Sequence, residues 1–145
     1  PFVGGLLAVC EAARNVACVG ATPVAATDGL NWGSPKDPEV FWSFERCVDG
    51  LAAAAEALAT PVLSGNVSFY NESELGAILP TPIIGMLGTI DPAKRPLPSF
   101  PAREADLYLV ETSATGHGLG ASLIGEIAGH AGGRPVPPDL LGERA

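Results

Sequence analysis

The stretch KDPEVFWSFERCVDGLAAAAEALAT, residues 36–60, carries the strongest helical pattern in the chain. Asp37 is a residue type that caps helices, Pro38 suits the first helical position, and Glu39 suits the positive end of the helix dipole. Apolar residues recur at steps of three and four and predict one buried face: Phe41, Phe44, Val48, Leu51, Ala55 and Leu58. The sequence therefore predicts a long amphipathic helix that begins after Asp37 and ends before Pro61.

Short apolar runs on both sides of this helix predict strands. ATPVAATD (21–28) precedes it and PVLSGNVSFY (61–70) follows it, and a strand, helix and strand in this order commonly form a right-handed crossover between parallel strands. TPIIGMLGTI (81–90) predicts a further strand. Helical spacing over residues 5–19, with Gly20 where a helix would end, predicts another helix at the beginning of the chain.

The composition is that of a packed globular chain. Among 145 residues, 47% are apolar and 17% are charged, which is enough apolar material for one domain with a core. The net charge of −8, without a Lys/Arg cluster, argues against nucleic acid as a partner. An anionic small molecule stays possible, because backbone N–H groups, helix N-termini and metal ions bind phosphate without a basic surface.

The cellular setting is predicted from the cysteines and the hydropathy. Cys10, Cys18 and Cys47 are odd in number, lack CxxC spacing and lie in or beside apolar helical pattern, so they are predicted to be buried free thiols in a reducing compartment. Every apolar run is shorter than the roughly 20 residues that a membrane helix needs, and no signal peptide is recognised. The expected location is the cytoplasm.

A Pro-rich segment divides the chain. Residues 92–104 are predicted to be a linker between a domain at 1–91 and the incomplete beginning of a second domain at 105–145. The chain starts at Pro1 and enters helical pattern almost at once, so we expect it to be a piece of a longer protein.

Polar residues gather where the strands on either side of the long helix are predicted to end. Asp28 ends one strand and Asn66 the other, so both are expected at one edge of a sheet, where α/β proteins bind ligands. Gly65 leaves room for a ligand, and Ser68 shares a strand face with Asn66. Together they could hold a phosphate and a hydrated metal. They could equally be ordinary turn residues without a ligand, and Asn66 as a neutral ligand would need carboxylates from elsewhere.

Other candidate residues favour structural roles. The GHGLG sequence around His117 matches neither a dinucleotide-binding fingerprint nor a Walker A sequence, so a flexible turn into a helix is the expected role. His130 is expected at the surface or at a helix end. Trp32, Phe41 and Trp42 are expected in core packing or in a subunit contact.

Three blocks of sequence resemble a known family. EAARNVACVGATPVAATDGLNWGSPKDPEVFWSF (11–44), PVLSGNVSFYNES (61–73) and PTPIIGMLG (80–88) closely resemble the third quarter of the phosphoribosylformylglycinamidine synthase family, PurL, in its small bacterial and archaeal form. Residues 105–130 are more weakly similar. The resemblance implies an α+β fold for residues 1–91: most of the second AIR-synthetase-like (PurM-like) N-terminal domain, a mixed sheet with flanking helices. Residues 105–145 would begin the α/β C-terminal domain.

The activity that this resemblance implies is that of an ATP-dependent C–N ligase of purine biosynthesis. Members convert formylglycinamide ribonucleotide with ATP and glutamine-derived ammonia into the amidine, and ATP and Mg²⁺ are the implied cofactors. The implied partners are the PurQ glutaminase, the PurS subunit and the first half of the same polypeptide. Asp28 and Gly65 match ATP-contacting positions, Asn66 matches a magnesium ligand, and Ser68 matches a substrate contact.

The resemblance also implies what this chain does not supply. The family's catalytic histidines and most of its acidic metal ligands belong to the first half, so no catalytic residue is assigned here and this chain alone is expected to be inactive. Two alternatives stay open. One is another AIR-synthetase-like protein that uses ATP, and the other is a structural, dimerising half-domain without a working ligand site.

Overall fold

A computed structural model describes residues 1–96, 99–111, 118–130 and 132–144. Its elements, in chain order, are α1 (Phe2–Cys18), β1 (Thr22–Asn31), α2 (Pro38–Leu58), β2 (Val62–Ser68), β3 (Glu72–Ser73), β4 (Gly76–Ala77), β5 (Thr81–Thr89), α3 (Leu123–Ile127) and α4 (Leu140–Arg144). The GHGLG prediction falls partly outside the described residues, because His117 is not among them.

A mixed three-stranded sheet forms the centre, with strand order β2-β1-β5. β1 and β2 are parallel and are joined through α2, as the crossover pattern predicts. β5 pairs with the other edge of β1 in the antiparallel direction. The predicted fold class, a mixed sheet with flanking helices, is confirmed, and β3 and β4 add a small two-stranded ribbon after β2.

The ends of α2 follow the sequence signals. The Asp37 carboxylate accepts hydrogen bonds from the N–H groups of Glu39, at 2.8 Å, and Val40, at 3.4 Å. At the other end Ala59 adopts the left-handed conformation, with φ of 55°, and the Thr60 N–H donates to the Ala55 carbonyl. These bonds satisfy backbone groups that the helix itself leaves unpaired.

The predicted buried stripe of α2 is confirmed except at its first residue. Leu51 and Ala55 are buried, and Phe44, Val48 and Leu58 pack against the core, whereas Phe41 is 41% exposed. The buried face also includes the smaller residues Ser43, Cys47, Gly50 and Ala54, and α1 packs against α2. A Cβ atom at Gly50 would overlap the Phe2 carbonyl oxygen, and one at Gly5 would overlap the Cys47 carbonyl oxygen. The two helices thus meet through their backbones at two glycines.

The core lies between these helices and the sheet. It is built from Leu6, Val9, Cys10, Leu30, Trp32, Cys47, Leu51 and Ala54. The Trp32 indole N–H donates to the Ser43 hydroxyl at 3.0 Å, and its ring meets the Phe44 ring edge to face. Core packing is therefore confirmed for Trp32, while Trp42 is exposed.

The cysteines are free, but only two of them are buried. Cys10 and Cys47 lie in the core, and Cys18 is exposed, so the prediction of burial was wrong for Cys18. Cys18 falls on the side of α1 opposite to the buried line through Leu6, Val9 and Ala13, because a helix turns by about 100° per residue. Burial, and secondarily the Glu143 carboxylate, raises the pKa of the Cys10 thiol to about 11.

No helix of the described ranges is both long enough and apolar enough to span a membrane.

Candidate functional site

The predicted site residues lie on two neighbouring parallel strands. Asp28 of β1 pairs with Gly65 of β2. Asn66 and Ser68 follow Gly65 along β2, one and three residues later. The expectation that Asp28 and Asn66 end their strands was wrong, because β1 continues to Asn31 and β2 to Ser68. Backbone pairing between the strands continues beyond both residues. Immediately after β1, the Trp32 backbone N–H still donates to the Ser68 carbonyl at 2.9 Å.

The four residues are divided between the two faces of the sheet. A Cβ atom at Gly65 would overlap the Asp28 carboxylate, so the Asp28 side chain lies over Gly65. Asp28 pairs with Ile84, whose side chain packs against the core. The side chains of Asp28 and Ile84 therefore lie on the face of the sheet that is turned towards the helices. Side chains alternate along a strand, so Asn66 and Ser68 belong to the opposite, open face. The structure brings Asp28 together with Gly65, and Asn66 together with Ser68, in two separate pairs.

Several polar residues of this region are used by the fold itself. The Asn71 amide donates to the Trp32 carbonyl at 3.0 Å and to the Ser68 carbonyl at 2.9 Å, and it also bonds the Ser68 hydroxyl. The Glu72 carboxylate accepts the Ser34 N–H at 2.8 Å. Asn71 and Glu72 therefore fasten the turn after β2 to the end of β1, which is the ordinary turn role.

Asp28 and Asn66 differ from those turn residues. Within the described part of the chain, neither the Asp28 carboxylate nor the Asn66 amide makes a hydrogen bond, and Asn66 is exposed. A polar side chain that the fold does not use is free to contact a ligand. These two residues are consequently the better candidates for binding, whereas the Ser68 hydroxyl already has a partner in Asn71.

The open face also holds polar residues that were not predicted as site residues. The Ser64 hydroxyl donates to the Thr27 hydroxyl at 2.9 Å, and the Thr27 hydroxyl bonds the Ser64 carbonyl at 3.0 Å. Asn31 pairs with Ser68 in register. The period-two pattern of β1 and β2 carries this signal, since these residues and Asn66 share one strand face.

The β5 side of the same open face is apolar. Ile83 and Leu87 are 62% and 67% exposed there, beside the polar rows of β1 and β2. The open face therefore combines a polar half next to β2 with an apolar half next to β5.

The donor atoms of the described residues do not make a magnesium site by themselves. Among the described residues, no group of three or more His, Cys, Asp or Glu side chains could hold a metal ion. Magnesium in proteins is bound through one or two carboxylates, and Asn66 offers one neutral amide oxygen while Asp28 lies across the sheet. A magnesium site at Asn66 would therefore need carboxylates in addition to those that the described residues place there.

His130 is placed as predicted. It is exposed just beyond α3, and its backbone N–H donates to the Gly125 carbonyl at 2.8 Å. This is a surface residue at a helix end, without a further role in the described site.

A family match defines the class of protein. Residues 1–90 match the family described as AIR synthase related protein, N-terminal domain. The chain belongs to this family.

More specific similarity is to proteins named PurL. The chain is 44% identical, over its full length, to the phosphoribosylformylglycinamidine synthase subunit PurL of Anaeromyxobacter dehalogenans, and 48% identical, over 99% of its length, to that of Mycolicibacterium vanbaalenii. These matches confirm the resemblance to PurL. The chain spans 19% of the length of each of these relatives.

Solved structures give the same result. Thermotoga maritima PurL complexed with ATP and the same protein complexed with FGAR are each 38% identical to this chain, with a TM-score of 0.59. Each match covers 65% of this chain, and 16% and 15% of the respective solved chain. A structure of PurLQS from the same organism matches with 38% identity and a TM-score of 0.60 over 66% of this chain and 16% of the solved one.

Proposed function

We propose that this chain is part of a phosphoribosylformylglycinamidine synthase, which amidates formylglycinamide ribonucleotide with ATP and glutamine-derived ammonia in purine biosynthesis. The observation that carries the proposal is the 44–48% identity of the whole chain to relatives named PurL. ATP and FGAR bound to Thermotoga maritima PurL support the choice of ligands.

The proposed domain division follows the described elements. Residues 1–91 form most of the second PurM-like N-terminal domain, residues 92–104 form a linker, and residues 105–145 begin the C-terminal domain. In support, the sheet ends with β5 at Thr89, and the described residues between 92 and 104 contain neither a helix nor a strand.

The proposed ligand contacts use the edge of the sheet. Asp28 and Gly65 contact ATP, Asn66 supplies one neutral ligand to Mg²⁺, and Ser68 contacts the substrate. Because β2 is the edge strand of the described sheet, a ligand lying along that edge can reach the backbone at Gly65 and the open face at Asn66. The unpaired Asp28 and Asn66 side chains support this arrangement.

The rest of the site is proposed to come from elsewhere. The first half of the same polypeptide supplies the catalytic residues and the acidic metal ligands, and the PurQ glutaminase and the PurS subunit deliver ammonia. The PurLQS structure supports these partners. On this proposal the chain by itself does not turn over substrate.

The test is substitution in the full-length protein. Asn66→Ala and Asp28→Asn are compared with Glu45→Gln, a change of an exposed side chain on α2. We expect both site variants to lower kcat/KM for FGAR amidation by about tenfold or more, because each removes a contact to ATP or its metal, and we expect unchanged thermal unfolding. Glu45→Gln should retain full activity.

Two results would contradict the proposal. Turnover that survives both site substitutions would favour the structural half-domain without a working ligand site. Activity of the unmodified protein with another substrate, but not with FGAR, would favour a different enzyme of the AIR-synthetase-like type.

A further inference from the structure

Asn71 bridges the ends of the two parallel strands. Its side-chain amide nitrogen donates to the carbonyl of Trp32, the residue after β1, at 3.0 Å and to the carbonyl of Ser68, the last residue of β2, at 2.9 Å. The Asn71 backbone N–H also donates to the Trp32 carbonyl, at 3.1 Å, and the Trp32 backbone N–H donates to the Ser68 carbonyl. Asn71, Trp32 and Ser68 are therefore joined in one closed set of hydrogen bonds.

The bridge is attached to a rigid part of the fold. Trp32 is 1% exposed, and its indole N–H is bound to Ser43 of α2. On the other side, Tyr70 has a left-handed backbone conformation, with φ of 60°, which a residue other than glycine keeps only where its surroundings enforce it. The Tyr70 N–H donates to the Gly33 carbonyl at 3.0 Å. Hydrogen bonds to the end of β1 thus set the course of the turn after β2.

The Asn71 amide also orients the Ser68 hydroxyl. Two main-chain carbonyls accept the hydrogens of the amide nitrogen, and this fixes which branch of the amide is the oxygen. The Asn71 Oδ1 atom lies 3.2 Å from the Ser68 hydroxyl oxygen and accepts the hydroxyl hydrogen, while the amide nitrogen approaches the same oxygen at 3.1 Å. The hydroxyl hydrogen and one lone pair thus face Asn71, and the second lone pair is left for a ligand.

We propose that Asn71 is a positioning residue, which holds the Ser68 hydroxyl as a hydrogen-bond acceptor for an N–H or O–H group of the substrate. Ionised phosphate oxygens only accept hydrogen bonds, so Ser68 meets the ribose or amide part of formylglycinamide ribonucleotide and not its phosphate. This inference rests on the proposed function, because it takes Ser68 as a substrate contact. What it adds is the direction of that hydrogen bond and the residue that sets it.

The test is the steady-state kinetics of FGAR amidation by the full-length protein. Asn71→Asp keeps the size of the side chain, but it removes both N–H donors and places a carboxylate beside two carbonyl oxygens. We expect it to raise KM for FGAR by about fivefold or more, because the Ser68 hydroxyl loses its fixed position, while KM for ATP stays within about twofold. Asn71→Ala is the second variant and should act in the same way, and thermal unfolding is measured for both.

Glu72→Ala is the matched control in the same turn. The Glu72 carboxylate accepts the Ser34 N–H at 2.8 Å, so it also ties the turn to the chain after β1, but within the described part of the chain it makes no hydrogen bond to Ser68. Its loss should leave both KM values within about twofold. A rise in KM for FGAR equal to that of Asn71→Asp would overturn the assignment, because general loosening of the turn would then explain both effects.

A double-mutant cycle tests whether Asn71 acts through Ser68. Ser68→Ala alone should raise KM for FGAR by about fivefold, and adding Asn71→Ala should raise it by less than about twofold more. Substrate analogues test the direction of the hydrogen bond. Among 2′-deoxy, 3′-deoxy and N-methyl forms of FGAR, one should bind equally well to the wild type and to Ser68→Ala, because it lacks the donor that Ser68 accepts. If Ser68→Ala weakens all of these analogues alike, the acceptor role is wrong.

The outcomes separate this inference from the proposed function. If Ser68→Ala raises KM for FGAR and the Asn71 variants do not, the positioning role is overturned and the proposed ligase activity stands. The same holds if the Asn71→Ala effect persists in full in the Ser68→Ala background. An active Ser68→Ala protein with unchanged KM for FGAR would remove the substrate contact and the positioning role together. Failure of the unmodified protein to amidate FGAR would overturn the proposed function itself, and this inference with it.

Discussion

Replacement of Gly50 by Ala should destabilise the protein, although alanine is the better helix former. At this position the new methyl group would overlap the Phe2 carbonyl oxygen and lie 3.2 Å from the Leu6 backbone nitrogen. Both obstacles are backbone atoms, so α1 as a whole has to move. Overpacking of this kind costs about 1–3 kcal/mol, against a gain of about 1 kcal/mol in helix propensity. Because the overlap with backbone is severe, we expect a net loss of about 2 kcal/mol.

Gly4 provides the matched control. It lies in the same helix pair, and a Cβ atom added there meets no atom within 4 Å. Gly4→Ala should therefore stabilise the chain by about 0.5 kcal/mol through the lower entropy of the unfolded state. The assay is urea unfolding followed by circular dichroism, with thermal unfolding as a second measurement. A loss of about 2 kcal/mol corresponds to roughly 6 °C in Tm for a chain of this size.

Gly5 and Gly50 together provide a second test of the backbone contact between α1 and α2. Gly5→Ala should also destabilise, because its methyl group would overlap the Cys47 carbonyl oxygen. A single separation of α1 from α2 relieves both overlaps, so Gly5→Ala/Gly50→Ala should lose less stability than the sum of the single variants. A Gly50→Ala protein as stable as the wild type, with Gly4→Ala behaving as expected, would refute the backbone contact between the helices.

Three further predictions concern the core and the helix ends. Asp37→Ala should lower the free energy of unfolding by about 1 kcal/mol, because two N–H groups of α2 lose their cap, and urea unfolding measures this. Trp32→Phe should cost about 2 kcal/mol in the same assay, since it leaves the Ser43 hydroxyl without its indole donor and opens a small void; Ser43→Ala in the Trp32→Phe background should cost little more. The pKa of the Cys10 thiol is about 11 in the folded chain and an ordinary 9.0 in the unfolded chain. As the pH rises, the thiol of the unfolded chain therefore loses its proton at a lower pH than the thiol of the folded chain. Stability should thus fall from pH 9 to about pH 11, and Cys10→Ala should show a shallower fall in pH-dependent unfolding.

Much of the fold could be read from local signals. The cap at Asp37, the helix of α2 and the parallel strands on either side of it all follow from residue types and spacing, because capping and periodicity act over a few residues. The same local pattern was misleading for Cys18, which lies on the outer side of α1. It also placed Phe41 in the buried stripe, since helical spacing does not reveal which neighbour the helix will meet.

The candidate site was predicted only in part. The residue types and their occurrence on two adjacent strands were visible in the sequence, and so was the common face of Asn66 and Ser68. The separation of Asp28 from Asn66 by the sheet was not visible, because it depends on the register that pairs Asp28 with Gly65. A shift of one residue in that register would exchange the faces.

The sequence by itself therefore determined α1, α2, the three strands of the central sheet and the family, since these depend on short-range pattern and on blocks of similar residues. Only the tertiary structure decided the antiparallel placement of β5, the glycine contact between α1 and α2, and the pairing of Glu143 of α4 with Arg14 of α1. Each of these joins segments that are distant in the chain. Their energies come from close packing and pairing in three dimensions, which no local pattern encodes.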